Sequence, residues 1–269
     1  MMSDDLFAKQ YLLEDEPTVA VALRRYASDF GVPIDNMSVR DALDTLYVRL
    51  RLLYPAEFVL KNELLNRIFL ARHNPSKATV LTEMRVGQNR VDLVAVNGTT
   101  TAYEVKSRFD SLARLNAQVS SYLSVFERVY VVCDPKKIER IAHVVDPTVG
   151  IMVTNAAGGF RTIRKAAASA RLDHAAMFDC LRKPEYQAIA RRRFGTLPVV
   201  PNMFERASYL EMFRTLPMRA LQSDFAAVLR LRGMHPHDAA AMQDLPYSMR
   251  LRYYELSKSD RWMVKHWWQ

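Results

Sequence analysis

Long apolar runs are missing from this chain of 269 residues. The longest fall far short of the roughly 18 residues that a membrane-spanning helix needs. The start Met-Met-Ser-Asp-Asp is acidic, without the basic-then-apolar layout of a secretory leader. No membrane association is expected, and a cytoplasmic location is. Cysteine is scarce: Cys133 and Cys180 lie in different segments, with no Cys-x-x-Cys or His-x-Cys spacing. That argues against a disulfide framework and a cysteine-based zinc site, and both thiols are expected to be free. Three further motifs are lacking: a Gly-x-x-x-x-Gly-Lys-Ser/Thr loop, a Gly-x-Ser-x-Gly elbow and a His-Glu-x-x-His helix. Phosphate-loop nucleotide hydrolysis, serine hydrolase and zinc protease readings therefore lack support. No internal repeat or low-complexity segment is found.

What is present is a globular composition, 49% apolar, with an uneven charge. The net +9 divides into −2 over residues 1–75, +5 over 76–165 and +6 over 166–269. A basic middle and end fit a polyanionic partner, although a basic surface serving solubility gives the same totals. Helical periodicity covers a stretch beginning after Pro17 and running through Ala27, a second opened by a capping-box-like Ser38-Val-Arg-Asp41 and running to 53, and a third at about 60–72. β-branched, alternating texture follows at 79–86, 91–96, 101–106, 128–133, 151–155 and 161–163, with helical patterns at 111–125 and 135–145. This order means an α/β protein with a central sheet of mixed direction. Beyond residue 171, prolines separate short amphipathic helices. Three regions are expected: helical 1–54, an α/β core over 55–165, and basic helices over 166–269.

The stretch VDLVAVNGTTTAYEVK, 91–106, places Asp92, Glu104 and Lys106 inside apolar strands. Buried charge is costly unless it is paired or holds a metal. Glu104 and Lys106, two apart, share one strand face. Whether Asp92 can join them depends on the turn. A two-residue Asn97-Gly98 hairpin sets Asp92 opposite Tyr103, whereas a three-residue loop sets it opposite Glu104. A three- or five-residue loop, or a bulge near Glu104, is expected. Two facing carboxylates call for a cation between them, and Mg²⁺ or Mn²⁺ suits oxygen ligands. Lys106 beside such an ion can orient water and stabilise charge growing on a phosphate. A partly buried lysine–carboxylate pair at a strand end fits the same residues equally well.

An Asp on one strand followed by Glu-Val-Lys on the next, between an upstream helix and a downstream helix and strand, resembles the PD-(D/E)XK nuclease superfamily. The resemblance covers roughly 55–165. It implies a restriction-endonuclease-like fold and Mg²⁺- or Mn²⁺-dependent hydrolysis of nucleic acid, with DNA favoured. Restriction, repair or defence in bacteria or phage is the setting it implies. It also implies metal ligands Asp92 and Glu104, with Lys106 positioning water and Glu63, on the preceding helix, assisting at the metal. Gln118-Val-Ser-Ser-Tyr122 has the Gln-x-x-x-Tyr spacing of RecB-type members, which implies substrate contact by both residues. The superfamily's Pro-Asp stands here as Val91-Asp92, and Gly87 lies one place earlier than the RecB-type glycine. Arg85, Arg90, Arg108 and Arg114 are candidates for lining the groove. The competing class is a binding module on the same fold, holding nucleic acid or a protein without constitutive cleavage.

Outside this region, His235-Pro-His237-Asp238 reads as a helix-opening turn rather than a metal site. Arginines from Arg191 to Arg252 give the last helices a basic character. Trp262, Met263, Trp267 and Trp268 form an apolar tail expected to dock on the domain or on a dimer or protein partner.

Overall fold

The computed structural model describes residues 5–70, 78–155, 158–233 and 236–264. Helix α1 (Glu16–Phe30) starts where Asp15 accepts the Thr18 N–H at 2.9 Å, and Pro17 sits in its first turn. Gly31, at φ 59°, ends it. Ser38 caps α2 (Val39–Leu53) by accepting the Asp41 N–H at 3.1 Å. Helix α3 (Glu57–Leu64) begins three residues ahead of the expected 60 and runs into a π-helical turn, Leu65–Leu70. The end of the expected helix, 71–72, lies outside the described residues.

Six strands follow: β1 (Thr79–Val86), β2 (Asn89–Val96), β3 (Thr100–Lys106), β4 (Arg128–Cys133), β5 (Gly150–Thr154) and β6 (Phe160–Arg164). They lie in the sheet in sequence order. Strands β1, β2 and β3 are mutually antiparallel, β3, β4 and β5 parallel, and β6 antiparallel to β5. Parallel neighbours need crossovers, and these are α4 (Leu115–Leu123), shorter than the expected 111–125, and α5 (Ile138–Val144). The remaining helices are α6 (His174–Asp179), α7 (Lys183–Phe194), α8 (Asn202–Arg214), α9 (Met218–Arg230), α10 (Pro236–Gln243), α11 (Arg250–Glu255) and α12 (Lys258–Trp262).

The terminal regions are not appendages but the two layers that cover the sheet. On one face Leu23, Leu46 and Leu60 of α1, α2 and α3 share a core with Met249 and Leu251 and with Leu93, Tyr103 and Val105 of the sheet. On the other, Val119, Ile141, Phe178, Phe213 and Phe225 pack against Val94, Ala102 and Val131. Each such side chain contributes about 1.5–3 kcal/mol by leaving water. The expected region 166–269 is thus divided between both faces. Cys133 and Cys180 are free thiols. Among the described residues no helix is long and apolar enough to cross a membrane.

Strand β2 is irregular at its charged residue. Leu93 and Ala95 face one core and Val94 and Val96 the other, yet Val91 sides with Val94. The alternation changes phase at Asp92. Directly across, Glu83 has φ 53°, a backbone conformation that costs a non-glycine residue energy. The rows Thr82↔Leu93 and Met84↔Val91 flank the break without any slip in register.

Candidate active site

The β2–β3 connection is Asn97-Gly98-Thr99, three residues, with the Asn97 N–H donating to Thr99 O at 3.1 Å and Gly98 at φ 99°. The pairs Leu93↔Tyr103 and Val96↔Thr100 result, which is the odd-loop register expected from the sequence. One row further on, Asp92 and Glu104 would face each other, but the ladder stops at Leu93↔Tyr103. The Asp92 side chain enters the gap instead, where its Oδ2 accepts the Val105 N–H at 2.6 Å. The two carboxylates are therefore tied to different lysines rather than set face to face.

Asp92 Oδ1 lies 2.8 Å from Lys61 Nζ, and the same ammonium is 2.6 Å from Glu57 Oε1 and 2.6 Å from Glu83 Oε1. Carboxylate oxygens of Glu57, Glu83 and Asp92 all lie within 4.8 Å of one another. Lys61 sits among them as a tethered cation. Glu104 forms the second half of the site: Oε1 is 2.6 Å from Lys106 Nζ, and Oε2 is 2.9 Å from the Tyr122 hydroxyl, which is also 2.7 Å from Arg90 O. Four acids thus face two lysines. Burial lifts the Asp92 carboxyl to about 7, opposed by Lys61 and reinforced by Glu104 and Glu57. Burial works against the charge on Lys61, but Asp92, Glu57 and Glu83 outweigh it and hold the ammonium well above its usual range. Burial, with Glu104 beside it, raises the Tyr122 hydroxyl too, so it remains a donor.

Glu63 does not join this group. It is 1% exposed and enclosed by other partners: Tyr47 hydroxyl at 3.1 Å, Arg51 Nη1 at 3.4 Å, Arg67 Nε at 2.5 Å and Tyr247 hydroxyl at 3.0 Å. The reason is helical geometry. Glu57 and Lys61, four apart, share a face, whereas Glu63, two beyond Lys61, is rotated by about 200°. Tyr122 has no exposed surface and its hydroxyl is spent on Glu104 and Arg90 O, while Gln118 is half-buried beside that hydroxyl. Arg85, Arg90, Arg108 and Arg114 are all exposed. Arg85 and Arg90 are cross-strand partners next to the phase change, and Arg108 lies over the Phe109 ring at 4.8 Å. His235, Trp267 and Trp268, and the side chains of His237 and Trp262, lie outside the described residues.

Sequence reasoning missed Glu57, Lys61 and Glu83. A signal for Glu83 was present: a two-residue Gly87-Gln88 turn pairs Val86 with Asn89 and, three rows on, sets Glu83 opposite Asp92. Two hollows flank the outer carboxylates Glu83 and Glu57, and neither has Asp92, Glu104 or Lys106 in its wall. One, of about 710 Å³, runs along the outer edge of β1 and is walled partly by Glu83, Arg85, Arg182 and Arg232. The other, of about 300 Å³, has Glu57, Lys61 and Ser107 in its wall, with Tyr54 and Phe109.

A family described as Bacteriophage P4 protein cII matches residues 53–235, a span that includes every member of both carboxylate groups. Protein cII of Enterobacteria phage P4 is 36% identical over 115 residues, which are 41% of this chain and 44% of that protein. The chain therefore spans under half the length of that relative. A protein of unknown function from Silicibacter pomeroyi aligns over 47% of this chain and 87% of its own, at 20% identity and a TM-score of 0.30, a likeness that bears on neither fold nor function.

Proposed function

The chain belongs to the bacteriophage P4 protein cII family, and for this member we propose a divalent-metal-dependent nuclease of the PD-(D/E)XK type, hydrolysing phosphodiester bonds of DNA. The observation that carries the reading is the bond from the Val105 N–H to Asp92, which ties that carboxylate to the strand bearing Glu104 and Lys106. The order of elements supports it: α3, three antiparallel strands, α4, then β4 parallel to β3, as the resemblance to a restriction-endonuclease-like fold implies.

The donor set fits a hard ion, since it offers carboxylate oxygens alone and more acids than lysines. Asp92 and Glu104 would hold Mg²⁺ or Mn²⁺, with Glu57 and Glu83 in place of Glu63. Such an ion supplies Lewis-acid stabilisation and a more acidic water. Tyr122 fixes one oxygen of Glu104 and Lys106 lies on the other, which holds the Lys106 ammonium beside the carboxylate, where it would stabilise negative charge growing on a phosphate. Lys61 holds Glu57, Glu83 and Asp92 together before substrate arrives and must draw back for those oxygens to serve as ligands. The test is incubation with linear, circular and single-stranded DNA, with and without Mg²⁺ or Mn²⁺, beside a Lys106→Ala variant. Metal-dependent cleavage lost in the variant is the expected result, and cleavage that the variant retains would refute the role of Lys106.

A second reading, a binding module without constitutive cleavage, is favoured by one observation. Each oxygen of Asp92 and Glu104 already has a protein donor, in Lys61, the Val105 N–H, Lys106 and Tyr122. DNA bound but uncut by the wild type under every metal condition would select it.

A further inference from the structure

Two outer members of the carboxylate group line two hollows of unlike chemistry. Glu83 belongs to the wall of the larger and Glu57 to that of the smaller, while their oxygens lie within 4.8 Å of each other. The larger hollow follows the unpaired edge of β1. Its wall carries the exposed Arg85 and Arg182, together with Arg232, which Glu185 already neutralises at 2.6 and 2.5 Å. Arginines at a rim suit a phosphate backbone, which they hold in any sequence.

The smaller hollow has a different rim. Tyr54 and Phe109, 36% and 51% exposed, stack with ring centroids 4.1 Å apart and an interplanar angle of 21°. The Arg108 guanidinium lies over Phe109, and its Nη2 donates to Leu53 O at 2.5 Å, which fixes it there. A flat, exposed aromatic stack beside a guanidinium is a stacking surface for a planar ring. Duplex DNA hides its base faces within its own stack, whereas a single strand offers each base to an aromatic neighbour.

We propose that the two hollows form one path for single-stranded nucleic acid, with phosphates on Arg85 and Arg182 and an unpaired base on the Tyr54–Phe109 stack. This deepens the nuclease reading and rests on it for the choice of a polyanion that crosses the carboxylates. The four contact residues come from α7's leading edge, β1, the end of α2 and the loop after β3, so the path crosses the sheet at the phase change.

The experiment is fluorescence anisotropy with a labelled twelve-nucleotide single strand and its duplex, in EDTA so that nothing is cut. The single strand is expected to bind the full chain about tenfold more tightly than the duplex. Arg85→Ser with Arg182→Ser should weaken both by about tenfold and flatten the salt dependence. Tyr54→Ser with Phe109→Ser should weaken only the single strand, by about tenfold. All four positions are exposed, and an unchanged melting temperature shows that the fold is kept. Equal or tighter binding of duplex, no binding of either, or variants that bind as the wild type does would overturn the proposal. Cleavage with Mn²⁺ is scored separately. Single-strand preference without cleavage refutes the nuclease reading and keeps the path, whereas duplex preference with cleavage does the reverse.

Discussion

Helix α3 carries two buried charge clusters, and they are built on opposite principles. Around Glu63 one carboxylate is shared by two arginines and two tyrosine hydroxyls, so donors exceed acceptors. Around Lys61 one ammonium is shared by three carboxylates. The carboxylate at the centre of the first is enclosed by its partners, whereas Glu57 and Glu83 of the second each line a hollow. A buried charge with a full set of fixed partners is a structural fastener, whereas an uncompensated excess of one sign, open to solvent, has chemistry left to do.

Removing each cluster's centre should separate the two. Glu63→Ala strands two arginines and two hydroxyls and is expected to cost about 3–5 kcal/mol in a denaturant titration. A loss below about 1 kcal/mol would erase the structural half of the contrast. Lys106→Ala is expected to lower cleavage about 100-fold, near 2.7 kcal/mol of barrier, with the melting temperature little changed. Lys61→Met should destabilise the fold by about 2 kcal/mol at neutral pH, because three carboxylates lose their shared cation. Added Mn²⁺ should raise the melting temperature of that variant more than that of the wild type, and equal shifts would show that Lys61 and the ion do not compete.

The smallest effect concerns pH. Asp92 titrates near 7 in the folded chain against an ordinary 3.8, so between these values the folded chain keeps a proton that the unfolded chain has lost. Its contribution is complete below about pH 4 and is lost as pH rises to about 7, which makes stability fall over that window. Asp92→Asn should flatten the fall in a series of melting curves. An unchanged slope would place the titration elsewhere.

Much of this was legible in the sequence. Strand texture located all six strands to within two residues, and the Asn97-Gly98-Thr99 loop length decided the register of β2 on β3, because side chains alternate with a period of two. Glu63 was misplaced for a physical reason: without knowing which face of α3 meets the sheet, an acid at 57 and one at 63 are equivalent candidates. The phase change at Glu83 and Asp92 was illegible because alternation predicts an unbroken strand, and it takes the packing of Val91 and the unfavourable φ at Glu83 to reveal the switch. Tyr122 fitted a substrate-facing motif in spacing, but spacing does not tell a buried hydroxyl from an exposed one.

The sharing of one core by residues near both ends of the chain bears on biosynthesis. Leu6, Phe7 and Leu60 emerge from the ribosome early, yet Met249 and Leu251, which close the same apolar face, come after Leu60 by about 190 residues, or roughly 10 to 40 s at ordinary elongation rates. Through that interval the helical layer that carries Lys61 has no lid. The polar partners of Lys61 are all made by residue 92, but the apolar layer beneath them can be closed only after nearly all of the described chain has been made.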